Sequence, residues 1–192
     1  MRITDPRALR ALAHTLRLDL IELLAELGPA TAATCARALG TSQASCSFHL
    51  RQLAKYGFVE RAPDSGDGRE RPWRLTDVKQ SWSSDEPTPA TDQLERVFIQ
   101  READRMLGWL GVAPAEPEEW RRAAFLGGMT LPLTAEELRS AGERLRAVLE
   151  PYVERLEDPS TRPPDARFVR LLLSATPLRD PTPKEDDRDA HD

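Results

Sequence analysis

The chain has 192 residues, 40% hydrophobic and 31% charged, enough to bury a core in one domain with extensions or in two small ones. No apolar run approaches the roughly 18 residues of a membrane span, and the opening MRITDPRALRALAH mixes charges with leucines, unlike a secretory signal. The two cysteines, Cys35 and Cys46, are too few for a disulfide-built secreted domain and agree with a reducing, cytoplasmic setting.

The formal net charge of -5 is unevenly spread. Through Thr76 there are 11 Lys and Arg against 8 Asp and Glu, a net of +3; the remainder has 16 against 24, a net of -8. The N-terminal part is therefore the one suited to approach a polyanion, and the acidic remainder would be repelled from it.

TDPRALRALAHTLRLDLIELLAELG offers Thr4 or Asp5 as a helix cap and Pro6 as a first-turn residue. Leu9, Leu12, Leu16, Leu20, Leu23 and Leu24 follow as an apolar stripe, with a break into two helices available at His14 and Thr15. TAATCARALG reads as a short third helix ending at Gly40. Thr41 is the expected cap of a fourth helix, whose left-handed stop is Gly57. The period then changes to alternation: FVERAP and RPWRLT read as two strands joined by the glycine-bearing DSGDGRE. Helices followed by a hairpin make a winged helix-turn-helix over residues 1–76.

Residues 77–90 are polar and Pro-bearing and read as a linker, with Trp82 available to fold back on the winged domain. TDQLERVFIQREADRMLGWLG is amphipathic, and TAEELRSAGERLRAVLEPYVERLE opens on a capping box of Thr134 and Glu137. AAFLGGMTLPL and ARFVRLLLSATPL read as strands, so residues 91–178 are expected to form an α+β module. The acidic tail 179–192 has the composition of a disordered segment. The fold class is thus mainly α (α+β).

The fourth helix carries the chemistry. Cys46, Leu50 and Leu53 line one stripe, while Ser42, Gln43, Ser45, Ser47, Phe48, Arg51 and Lys55 lie on or beside the other face. Gln can bond an adenine edge in two places, serines reach bases or phosphates, and Phe48 could pack on a thymine methyl; Arg51 and Lys55 suit the backbone. Arg69, Arg71 and Arg74 surround the hairpin and would meet flanking phosphates or the minor groove. His49 borders the buried stripe, where a structural hydrogen bond is as good a reading as a DNA contact.

The run LGTSQASCSFHLRQLAKYGFVE resembles the helix-turn-helix signature of the ArsR-type bacterial repressors, with Leu39, Gly40, Ser42, Gln43, Ser47, His49, Leu50, Leu53 and Gly57 at matching positions. DPRALRALAHTLRLDLIELL resembles the first two helices of that family, and GDGRERPWRLT the wing of an actinobacterial-looking branch. The resemblance covers about residues 3–76. It implies a winged-helix DNA-binding regulator and, from larger members, a C-terminal module for dimerisation and effector binding. Many members sense metals through a Cys-x-Cys pair in the third helix, but Thr31 and Ala33 stand there in this chain, and Cys35 occupies an apolar core position. Of His14, Cys35, Cys46, His49 and His191, only Cys46 and His49 have helical pair spacing, and packing is the better reading for them.

The sequence contains no Gly-rich phosphate loop, nucleophile elbow or metal-ligand cluster, so no enzyme, cofactor or metal site is expected. The expectation is a cytoplasmic, DNA-binding transcription regulator, a repressor. As a homodimer it would bind double-stranded DNA at a pseudo-palindromic operator, with a small-molecule effector possible and no membrane partner. The leucine faces at 9–24 and 94–110 are candidates for either the dimer contact or monomer core. The alternative is a winged helix that binds protein as an assembly or anti-repressor module.

Overall fold

Asp5 begins the first helix: its carboxylate accepts the N–H of Arg7 at 2.9 Å, and Pro6 supplies a first-turn residue with no N–H to satisfy. The computed structural model describes residues 2–63, 71–79, 81–82 and 88–178, and is mainly helical. Helix α1 (Pro6–Leu12) stops at Ala13. His14 then caps α2 (Thr15–Leu27), its Nδ1 accepting the N–H of Leu16 at 3.2 Å. Thr31 caps α3 (Ala32–Ala38), and α4 spans Gln43–Lys55.

Strands β2 (Val59–Arg61) and β3 (Trp73–Leu75) pair antiparallel with Glu60 opposite Arg74, forming the expected hairpin. Its tip, residues 64–70, lies outside the described residues, and Arg69 with it. Trp73 exchanges backbone hydrogen bonds of 2.7 and 2.9 Å with Ala30, fastening the hairpin to the loop before α3. A short parallel ladder joins β1 (Arg2–Ile3) to β4 (Ser81–Trp82), so the stretch expected as linker returns to the N-terminus.

The remaining elements are α5 (Pro89–Val112), α6 (Glu118–Ala123) and α7 (Ala135–Glu157), with single turns at Ala113–Ala115 and Pro159–Thr161. The core lies within the N-terminal helices and the start of α5: Leu12, Leu20, Leu50, Leu53, Phe58 and Leu94 are all at most 1% exposed. Leu9, Leu12, Leu20, Leu24 and Leu94 are thereby monomer core, which removes them as a dimer contact.

The mainly helical class and the N-terminal helix-turn-helix hold, but the C-terminal strands do not. Residues 124–134 and 166–178 are not in strands. Among the described residues, the backbone of 125–133 and 167–178 makes no hydrogen bond. Apolar runs fit a pleat, but a strand exists only against a neighbouring edge, and the described residues offer none there. The tail 179–192 lies outside the described residues. No helix among those described is long and apolar enough to cross a membrane.

Candidate nucleic-acid interface

Two glycines set the frame of α4. Gly40 has φ 61°, and behind it the N–H of Thr41 reaches back to the Ala36 carbonyl at 3.0 Å, closing α3 in a Schellman turn. The cap of α4 is then Ser42 rather than Thr41: its Oγ accepts the N–H of Ser45 at 3.1 Å. Both residues carry the hydroxyl that a cap needs, and the tight turn leaves only the second within reach. At the far end Gly57 has φ 75°; its N–H bonds the Ala54 carbonyl at 3.0 Å, and that of Phe58 bonds the Leu53 carbonyl at 3.1 Å. Phe58 and Leu53 are both fully buried, so the apolar contact that accompanies a Schellman turn anchors this helix in the core.

Burial divides α4 cleanly. Cys46, Leu50 and Leu53 are fully buried, whereas Gln43, Arg51 and Lys55 are exposed and Phe48 is 52% exposed. Ser42 is also exposed but engaged as the cap, and Ser45 and Ser47 are half-buried at the margin. Gln43, Ser47 and Arg51 follow at four-residue spacing along one ridge, with Phe48 and Lys55 beside it. Ala44, exposed between Gln43 and Phe48, is a face residue that sequence reading passed over for want of a polar group.

The hairpin differs from expectation at one arginine. Arg74 is not directed to a partner outside the chain: its Nη2 meets Glu60 across the ladder at 2.6 Å. Arg61 stacks on Trp73, 3.9 Å from the ring centre, and donates to the carbonyl of Arg71. Arg71 itself is exposed.

Behind α4 the ring of His49 lies 4.4 Å from that of His14, and its Nδ1 is buried with no hydrogen-bond partner. Burial, then His14 and Arg17, holds the His49 imidazole below the ordinary histidine range; burial and Arg17 lower that of His14. Of the two readings the sequence left open for His49, a structural hydrogen bond or a DNA contact, its Nδ1 makes neither; the ring packs against that of His14. Burial pushes the Cys46 thiol up, which keeps it protonated and inert. Among the described residues no three His, Cys, Asp or Glu side chains are grouped as a metal would need.

A second charged feature was illegible in the sequence. Arg101 of α5, 8% exposed, donates to Asp19 at 2.6 Å, to Glu22, and to Glu102 at 3.1 Å. Arg105 donates to both oxygens of Glu22 at 2.7 and 3.0 Å, and Arg170 to Glu102 at 2.8 and 3.0 Å. Three guanidinium groups thus face three carboxylates, tying α2 to α5 and to the segment after α7. Burial opposes charge on Glu22, but the Arg105 and Arg101 hydrogen bonds outweigh it and hold its carboxyl below the usual range. Beside this cluster is a groove of about 410 Å³ lined by Ala25, Glu26, Arg105, Leu156 and Phe168 among others.

Residues 12–62 match the family model of a helix-turn-helix domain. No curated protein matches the sequence. Solved structures similar to parts of the chain include a variant of ZitR from Lactococcus lactis, 17% identical over 72% of this chain and 75% of that one, with a TM-score of 0.34. The transcriptional regulator Tm0710 from Thermotoga maritima is 15% identical over 73% and 79%, with a TM-score of 0.32. PcaV from Streptomyces coelicolor, solved with its natural ligand, is 16% identical over 77% and 75%, with a TM-score of 0.30. The matched helix-turn-helix segment and its side-chain geometry carry the functional reading.

Proposed function

We propose that this chain is a sequence-specific DNA-binding transcription regulator of the cytoplasm, a repressor that binds a pseudo-palindromic operator as a homodimer. The observation that carries the reading is the exposed face of α4, where Gln43, Phe48, Arg51 and Lys55 project, with Ser47 at its margin, from a helix capped at both ends and buried along its opposite side. Such a helix enters the major groove with planar and short side chains toward base edges and cations toward phosphates. The hairpin is the wing, with Arg69 and Arg71 contacting flanking backbone. One such unit covers few base pairs, so two are needed, about 34 to 36 Å apart along the duplex. The groove beside Arg105 would hold a small organic effector.

The test is to select operator fragments from random DNA with the purified protein and then compare variants. Gln43→Ala should lose roughly 1 to 3 kcal/mol on the selected site and relax preference at one position per half-site, with random DNA unaffected. Arg51→Ala and Lys55→Ala should weaken all sequences and lower the slope of log affinity against log salt by about one each. Wild-type discrimination and wild-type salt slopes in all three would reject DNA reading by α4 and leave the protein-binding winged helix.

A further inference from the structure

The C-terminal part holds two stretches whose apolar side chains are left largely uncovered by the described residues. In residues 124–133 Phe125, Leu126 and Met129 are 82 to 86% exposed; in residues 166–178 Val169, Leu173 and Leu178 are 52 to 72% exposed. Both stretches lack backbone hydrogen bonds along almost their whole length, and α7, which lies between them in sequence, has no buried residue in its 23. Exposed apolar side chains beside unpaired N–H and C=O groups form the composition and state of a strand edge awaiting a partner.

We propose that residues 124–131 and 167–176 form strands against a second copy of this chain; this rests on the homodimer named above and specifies the surface that makes it. Area is the first argument. Large apolar side chains from Phe125 to Leu133 and from Phe168 to Leu178 are 40 to 86% exposed, and with roughly 150 to 250 Å² for each of the two phenylalanines and less for each Leu, Met or Val they leave on the order of several hundred to 1,000 Å² of apolar surface per chain. That exceeds the few hundred Å² that monomers usually show, and it matches the roughly 800 Å² per partner of a stable interface. Charge is the second. Residues 124–133 carry no charged side chain. In the other stretch, Arg167 is met by Glu116 at 2.7 Å and Arg170 by Glu102 at 2.8 Å within the same chain. A face whose charges are neutralised internally has nothing to attract an acidic or basic partner, yet meets its own image without repulsion. Symmetry is the third: in a two-fold contact each stretch meets its counterpart along one edge, so alternate backbone groups of both stretches are paired at once. Pro132 and Pro177 lack N–H groups and would close the two pairing runs.

The experiment is hydrogen exchange by mass spectrometry on the full chain, at concentrations that sedimentation shows to lie above and below dimer dissociation. In the dimer, alternate amides of 125–131 and 167–176 should be protected roughly a hundredfold and lose that protection on dilution. The double variant Leu126→Asp and Leu171→Asp alters side chains that are 83 and 46% exposed, and should be monomeric at micromolar concentration with an unchanged helical circular dichroism spectrum. Three results would overturn the proposal: a monomer at every concentration, a dimer whose two stretches exchange as fast as in dilute solution, or a double variant that stays dimeric. The DNA reading fails separately, since a dimer protected in these stretches that shows no preference among DNA fragments would reject the regulator and keep the interface.

Discussion

Helix α4 and helix α7 are both well capped and amphipathic, yet they end in opposite situations. In α4 the apolar stripe of Cys46, Leu50 and Leu53 is fully buried; in α7 no residue is buried, and Leu145, Val148 and Tyr152 are more than half exposed. Local signals of equal quality therefore make a helix in each case, but burial requires an opposing surface. The N-terminal part carries that surface in the same chain, and the described residues of the C-terminal part do not.

The sharpest way to break this comparison is to truncate one aromatic on each side of it. Phe58→Ala removes a fully buried ring that anchors the end of α4, and should cost roughly 3 to 5 kcal/mol in denaturant unfolding. Phe125→Ala, at 86% exposure, should change the stability of the dilute chain by less than about 0.5 kcal/mol. Comparable losses in the two would mean that Phe125 is buried within the monomer.

A somewhat smaller effect is expected at the charged cluster that joins the two parts. Arg101→Ala leaves Asp19, Glu22 and Glu102 facing one another with one guanidinium fewer, and breaking a buried pair costs about 3 to 5 kcal/mol. Asp19 and Glu22 are 29 and 23% exposed and can be rehydrated, so the loss should fall near the lower end, about 3 kcal/mol. Unfolding of Arg101→Ala with wild-type midpoint and slope would show that the cluster contributes no net stability.

Titration gives the smallest change and acts on the N-terminal side. His14 and His49 are held neutral in the fold, so their contribution is complete above the ordinary histidine value of about 6.5 and is lost as the pH falls below it. Glu22, held ionised, contributes above the ordinary glutamate value of about 4.3 and is lost as the pH falls toward its lower folded value. Stability should therefore decline in two stages on acidification. His49→Gln should flatten the first stage, which begins as the pH falls below about 6.5, and leave the second. A wild-type decline in that variant over the upper window would assign it to other groups.

What could be read in advance follows the same division. The turn, α4 and the hairpin were legible because each is set by short-range chemistry: Gly40 and Gly57 with positive φ, a hydroxyl cap, and a switch from helical to alternating period. The cap was placed one residue early because Thr41 and Ser42 are chemically alike and only the geometry of the turn separates them. Arg101 and Glu102 are not singled out by the sequence, since nothing local distinguishes a charge that water will surround from one that Asp19 and Arg170 will meet from elements some 70 to 80 residues away. The two-residue ladder between β1 and β4 is too short to leave a period. AAFLGGMTLPL and ARFVRLLLSATPL have the composition of strands, but a strand is a property of a pair, and among the described residues neither run meets a partner edge.

The link between α4 and β2 has a mechanical consequence. A single glycine separates the helix C-cap from Phe58, and the hydroxyl of Thr76 donates to the carbonyls of Gly57 and Phe58 at 2.6 and 3.2 Å from the far end of the hairpin. The helix and the hairpin base are clamped on both sides of that glycine, leaving no joint between them. They must tilt and translate as one piece, so a force applied to either is felt by both, and the adjustable quantity in an assembly of two chains is the distance between two such pieces rather than the shape of each.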